Sequence, residues 1–401
     1  MSGLLIKGGR IVDPASSLDS LCDLRIRDGK ITQIGEHLEP DAGEEVVEAS
    51  GAVVAPGFVD MHVHLREPGF PEKETIATGT EAAVRGGFTS VACMPNTKPA
   101  LDEPGVLEWL MQKVARDARC RVYPVAAVTH GRNGEEPADF PALVAAGAVA
   151  FSDDGDTVAD AAVMRDAALK ASKVSAPIVA HCEPECEIVA RDLAIARETG
   201  KRWHVAHVST AGALELIRQA RSGSERVTCE ASPHHLTFTS ALLAELGAAA
   251  TVNPPLRTEA DVQALRQGVR DGSIDVLASD HAPHTQQEKR GDADGRAAPG
   301  FSGLEVAVGA YAAALPDLPL PRFIELVSRN PARILGLRAG TLGLGEVADV
   351  TIFAERPWVV DPAIFASKGK CTPFAGRRLP RKVLATIVGG IVRYRASDLA
   401  A

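Results

Sequence analysis

The stretch Gly51-Ala-Val-Val-Ala-Pro-Gly-Phe58-Val59-Asp60-Met61-His62-Val63-His64-Leu65-Arg66-Glu67-Pro68-Gly69 organises the reading of this chain. Its apolar first half predicts a buried β-strand over 53–60. Side chains alternate faces along a strand, so His62 and His64 point the same way, about 7 Å apart along the chain. Two imidazoles converging at a strand end form half a metal site. Arg66 shares their parity if the strand persists, and sets a guanidinium beside them. A lone HxH fits two partly exposed loop histidines equally well, so the rest of the chain decides.

Downstream, apolar runs that end in polar residues alternate with Ala-rich segments of helical period. Strands are predicted at 53–60, 88–93, 121–128, 148–151, 178–180, 203–207, 226–230 and 274–278. Helices are predicted between them at 75–85, 104–118, 139–146, 159–173, 187–199, 211–220 and 259–270. Strand-helix alternation argues a parallel sheet. Eight such units predict an α/β fold of the (β/α)8 TIM type over 55–339. An open doubly wound sheet is the structural alternative, but no phosphate-binding glycine fingerprint follows an early strand.

Residues 1–54 and 340–401 read instead as short strands and turns. Gly8-Gly9 and Asp28-Gly29 look like hairpin punctuation. The two ends are expected to pair into one small discontinuous β domain beside the barrel.

The 401 residues are 45% hydrophobic and 24% charged, as in an ordinary globular protein. A net charge of −9 argues against general affinity for nucleic acid or membrane surfaces. An anionic substrate therefore needs a local positive site. The 7 cysteines are scattered and form no CxxC pair, which predicts reduced, mostly buried thiols. Neither a signal peptide nor a bilayer-spanning run is expected, and the protein reads as cytoplasmic.

In such barrels catalytic residues lie at the C-terminal strand ends, and these ends are unusually polar. After the HxH pair they carry Asn96-Thr97, Asp153-Asp154, His181, His207, His234-His235 and Asp280-His281-Ala-Pro-His284. A single strand-end histidine is usually a hydrogen-bonded structural residue. Six histidine- or aspartate-bearing ends on one face are not explained that way. Neutral imidazoles with carboxylates suit a pair of divalent ions such as zinc. In Trp203-His204-Val-Ala-His207 the two histidines differ in parity; His207 is nearer the strand end and the better ligand, with His204 expected to pack outward or into a helix. Parity does not choose between Asp153 and Asp154, and spacing does not exclude His234 or His235.

At these residues the chain resembles a known family. Asp60-Met-His62-Val-His64-Leu-Arg66-Glu-Pro68-Gly69 resembles the DxHxHxRxPG signature of dihydroorotases, in the amidohydrolase superfamily. Ala278-Ser-Asp280-His-Ala-Pro-His284, with Lys289 beyond it, resembles their second signature. Met94-Pro-Asn96-Thr97, Asn253-Pro-Pro-Leu-Arg257 and Asn330-Pro-Ala-Arg333 also match, so the resemblance runs through essentially the whole chain. The fourth strand ends in Asp-Asp with no lysine, similar to class I members, where an aspartate replaces a bridging carboxylated lysine.

The resemblance implies two zinc ions per subunit bridged by Asp154 and a hydroxide, with Asp153 the fallback bridge. His62, His64 and Asp280 would bind one ion, and His181 and His207 the other. It implies reversible hydrolysis of (S)-dihydroorotate to N-carbamoyl-L-aspartate, with Asp280 as catalytic base and acid. His64, Arg66, Asn96 and His284 would hold the substrate carboxylate, and Asn253 with the backbone at Pro299-Gly300 the ring. Only 25 residues separate His181 from His207, fewer than is usual in the class. Expected partners are the substrate, a homodimer mate and aspartate transcarbamoylase. Two other readings are a cyclic amidase of the hydantoinase, dihydropyrimidinase or allantoinase type, and a non-catalytic partner of the transcarbamoylase. The carboxylate-binding set and the complete ligand set argue against them.

Overall fold

The computed structural model describes residues 3–221, 226–292 and 295–399. Its chain begins with strands β1 (Leu4–Asp13), β2 (Leu18–Arg27), β3 (Lys30–Gly35), β4 (Glu45–Glu48) and β5 (Val53–Pro56). Eight strands follow: β6 (Phe58–Val63), β7 (Phe88–Cys93), β8 (Arg121–Ala126), β9 (Ala150–Phe151), β10 (Ile178–Ala180), β11 (Trp203–Val205), β12 (Val227–Ala231) and β13 (Val276–Leu277). The chain ends with β14 (Val350–Ala354), β15 (Trp358–Val359), β16 (Arg378–Leu379), β17 (Lys382–Val388) and β18 (Ile391–Arg395).

Strands β6 to β13 pair in sequence order, and their pairings are parallel. Just beyond β13, His281 bridges to Val63, and its carbonyl accepts a 2.8 Å hydrogen bond from His64 N–H. The eight-stranded barrel is thereby nearly closed, as the alternation predicts. Met61, Ala92, Val125, Ala150, Val179, Ala206 and Val276 form one buried cluster with Ile334 and Leu335. The barrel is thus a packed core rather than a pore.

Helices cross between successive strands where the period predicts them. Local chemistry sets their starts. Thr75 and Thr78 form a capping box on Ile76–Arg85, and Thr258 and Asp261 form another on Glu259–Asp271, which ends at left-handed Gly272. Each box satisfies two backbone donors that the first turn would otherwise leave open.

The two chain ends build one mixed sheet, ordered β18-β17-β14-β5-β1-β2-β3 with β4 also on β1. It has its own apolar core, including Ile6, Ile11, Leu24, Val54, Val350 and Ile387. Two details differ from the sequence reading. The expected strand 53–60 is two strands in two sheets, because Gly57 breaks it. A Cβ there would meet Thr89 Oγ1 at 2.2 Å, so this joint admits only glycine. Gly8-Gly9 is no hairpin: β1 runs through it with a bulge, Gly8 at φ +69° donating to Asp23 Oδ1 at 2.7 Å. Asp28-Gly29, at φ +50° and +73°, does turn β2 into β3.

Candidate active site and metal centre

The C-terminal strand ends bring the predicted histidines and aspartates to one buried point. His62, on β6, and His64, just beyond it, have ring centroids 5.4 Å apart. Asp154 lies at the centre. Its Oδ1 is 3.3 Å from His62 Nε2, 3.1 Å from His207 Nε2 and 3.5 Å from His181 Nδ1, and its Oδ2 is 3.5 Å from His64 Nε2. Asp280 Oδ1 is 3.7 Å from His62 Nε2 and 3.5 Å from His64 Nε2. Ligating atoms cluster tightly in two trios, His62/His64/Asp280 and His62/Asp154/His207.

Asp153 and Asp154 face different surroundings. Asp153 turns away and accepts hydrogen bonds from Val128 N–H (2.8 Å), Thr129 N–H (3.1 Å) and the Thr129 hydroxyl. His204 does not pack outward or into a helix. It is wholly buried between strands, with Nδ1 2.8 Å from Thr228 Oγ1 and Nε2 3.2 Å from Glu230 Oε2. His235 is spent on Ser232 Oγ and the Pro254 carbonyl. His234 does face the centre, its Nε2 3.6 Å from Asp280 Oδ2.

The donor set suits a cation. Burial opposes ionisation of Asp154, yet the neighbouring His62, His181 and His207 outweigh it and hold the carboxyl well below its usual range. Burial keeps His64 and His234 well below theirs and brings His207 to about 4, so these rings are neutral lone-pair donors. His62 Nε2 is buried with no hydrogen-bond partner and faces both aspartates. Against burial, Asp154 and Glu230 hold the His62 pKa well above its usual range, so negative charge converges on this nitrogen, where a cation would take the place of a proton. The backbone is strained at the same place: Arg66 (φ +63°), His207 (φ +29°) and Asp280 (φ +47°) are non-glycine residues in the left-handed region.

The predicted substrate contacts ring this centre. Arg66 is buried; its Nε donates to the Pro283 carbonyl at 3.1 Å, and its Nη2 lies 3.1 Å from His284 Nε2. No carboxylate among the described residues lies within salt-bridge distance of it. Burial and the Arg66 charge push His284 down to about 3, and its Nε2 also meets the Pro299 carbonyl at 2.9 Å. The Asn96 oxygen lies 2.8 Å from His64 Nδ1, and the Asn253 amide 3.1 Å from His181 Nε2. Gly300, at φ +140°, packs so closely on Ala282 that a Cβ would meet its carbonyl oxygen at 2.5 Å.

Comparison with known proteins gives a consistent answer. A family profile described as "Dihydro-orotase-like" matches residues 51–188. The dihydroorotase of Pelotomaculum thermopropionicum is 47% identical over 422 aligned positions, covering 97% of this chain and 98% of that protein. This chain belongs to the dihydroorotase family. Dihydroorotases of Anaeromyxobacter sp. (43% identical, 96% of each chain) and Aquifex aeolicus (40% identical, 98% and 100%) are similar over comparable spans. The first alignment is longer than the chain itself, so that family member carries residues with no counterpart here. Among solved structures, the L-hydantoinase of Arthrobacter aurescens superposes with a TM-score of 0.89 at 24% identity (100% and 98% covered), and a D-hydantoinase from Thermus sp. with 0.86 at 23% (99% and 96%). At that identity the likeness is one of fold.

Glu230 is the site neighbour that sequence reading missed. Its Oε1 lies 2.6 Å from His62 Nδ1. The signal was present, since a carboxylate ended a predicted barrel strand. No described helix is long and apolar enough to cross a membrane.

Proposed function

We propose that this chain is a metal-dependent dihydroorotase, interconverting (S)-dihydroorotate and N-carbamoyl-L-aspartate in cytoplasmic pyrimidine synthesis. The observation that carries the substrate choice is Arg66, a buried guanidinium without a carboxylate partner, beside the His/Asp cluster. A hydantoin or dihydropyrimidine ring has no carboxylate to meet it. Absence of a lysine at the β9 end points the same way, against the hydantoinase-type reading that the fold alone would allow.

His62, His64 and Asp280 would hold one zinc ion and His181 and His207 the other, with Asp154 shared. Bound there, the metal would supply Lewis acidity toward the amide oxygen and a water acidified to near neutral pH. The remaining tasks fall to side chains. Asp280 accepts the proton of the attacking water at a carboxylate oxygen and passes it to the leaving ring nitrogen. Arg66 grips the substrate carboxylate through paired N–H donors. Neutral His284 and the Asn96 amide complete that pocket, while Asn253 and the Pro299-Gly300 backbone hold the ring.

The test is cyclisation of carbamoyl-aspartate by the purified chain, with zinc determined on the same sample. Turnover with about two zinc per chain is expected, lost on chelation and restored by zinc. Neither metal nor turnover after zinc addition would sink the reading. Turnover of hydantoin but not carbamoyl-aspartate would favour the other amidase class. A homodimer and a complex with aspartate transcarbamoylase are secondary proposals, decided by sedimentation of the chain alone and with that enzyme.

A further inference from the structure

Outside the expected ligands, Glu230, near the end of β12, is a buried carboxylate in contact with two of them. Its Oε1 lies 2.6 Å from His62 Nδ1 and accepts from His207 N–H at 3.3 Å. Its Oε2 lies 3.2 Å from His204 Nε2, and His204 Nδ1 lies 2.8 Å from Thr228 Oγ1. Glu230, His62 and His204 are all essentially inaccessible to water. A carboxylate in such a place is costly unless its oxygens are hydrogen-bonded, and here both are. We infer that Glu230, held by His204, is a positioning residue for the metal centre, orienting His62 directly and the His207 backbone beside it.

The argument is one of geometry. An imidazole has two nitrogens, and the hydrogen bond on one decides what the other can do. With Nδ1–H donating to Glu230, Nε2 is left as the nitrogen that would bind a cation, and it faces Asp154 and Asp280 with no hydrogen-bond partner. The carboxylate also raises the basicity of that lone pair. His204 fixes the far oxygen, and Thr228 fixes His204, so the carboxylate cannot swing away from His62. Because Glu230 also accepts from the His207 backbone, one side chain ties together the ends of β6 and β11, which carry two expected ligands. Glu230 is itself buried, so it acts on the centre through His62 and the His207 backbone.

This inference rests on the metal-centre reading, and zinc affinity tests the two separately. Glu230→Gln keeps the shape and an oxygen acceptor but removes the charge. Its zinc affinity, from competition with a chromophoric chelator, should fall about 10- to 100-fold, while KM for carbamoyl-aspartate at saturating zinc stays near that of the parent. His204→Gln should weaken zinc by a smaller factor, and Glu230→Asp should recover part of the loss. Circular dichroism of each zinc-free protein guards against misfolding; if Glu230→Gln fails to fold, His204→Gln carries the test. Parent-like zinc affinity in both Glu230→Gln and His204→Gln would overturn the inference. A parent that binds no zinc would instead overturn the metal centre itself.

Discussion

Asp153 and Asp154 are adjacent in sequence and face opposite ways: Asp154 reaches four histidines, and Asp153 caps the Val128-Thr129 backbone. Their substitutions should therefore fail differently. Asp154→Ala should lose most bound zinc and several orders of magnitude in turnover, with the fold retained by circular dichroism. Asp153→Ala leaves two buried N–H donors unpaired, at about 1–3 kcal/mol each, and should lower the urea midpoint while retaining zinc. Zinc analysis on both variants decides the assignment, and zinc loss confined to Asp153→Ala would reverse it.

Arg66 supplies charge where the net charge of the chain is unfavourable to an anion. Arg66→Met removes a charge-assisted pair worth about 1.5–3 kcal/mol. KM for carbamoyl-aspartate should rise by roughly 10- to 150-fold, since 1.4 kcal/mol is tenfold, with zinc content unchanged. Lysine should recover little, because it cannot offer the planar fork. An unchanged KM in Arg66→Met would remove the carboxylate assignment.

These contrasts mark what the sequence could carry. Period-2 alternation predicts that His62 and His64 converge, because His62 lies on β6 and His64 directly follows its last residue. It separates His204 from His207 as well, but not what receives His204, since its partners Thr228 and Glu230 come from another strand. Asp153 and Asp154 lie in a turn after β9, where alternation no longer applies. Gly57 was hidden for a related reason. The apolar run continues through it, and only the nearby Thr89 side chain shows why the chain changes sheets there. Local pattern set the elements, while long-range contacts set the joints and the carboxylate supports.

Glu305 gives the chain a pH-dependent weakness far in sequence from the expected ligands. Its oxygens accept from Ala366 N–H at 2.9 Å and Ser367 N–H at 3.3 Å, yet burial pushes its pKa up to about 7. A folded-state pKa above the unfolded one means that the protonated form favours folding. That contribution is complete below the unfolded value and is lost as pH rises through about 7. From pH 5.5 to 8.5 this group should cost about 2 kcal/mol. Glu305→Gln should remove that part of the decline. Urea midpoints of both proteins at the two pH values, with zinc saturating, check it, and parallel declines would refute it.

The shortened segment after His181 is fastened by side chains from other loops. Glu185 accepts from Ser209 N–H at 2.6 Å and from the Ser209 hydroxyl at 2.8 Å. Arg257 donates from Nε to the same hydroxyl at 2.9 Å and from Nη2 to Glu183 at 3.0 Å. Ser209 lies two residues beyond His207 and Glu183 two beyond His181, so this clamp joins the strand ends that carry both histidines. Glu185→Ala would orphan the buried Ser209 N–H at about 1–3 kcal/mol. It would also loosen the spacing of His181 and His207, whose facing nitrogens are 3.0 Å apart. The variant should unfold at lower urea and release the zinc proposed at His181 and His207 faster to a chelator, with the zinc proposed at His62 and His64 keeping its parent rate. Uniform release of both, or a parent-like rate for each, would show that the clamp supports the fold without supporting the ligands.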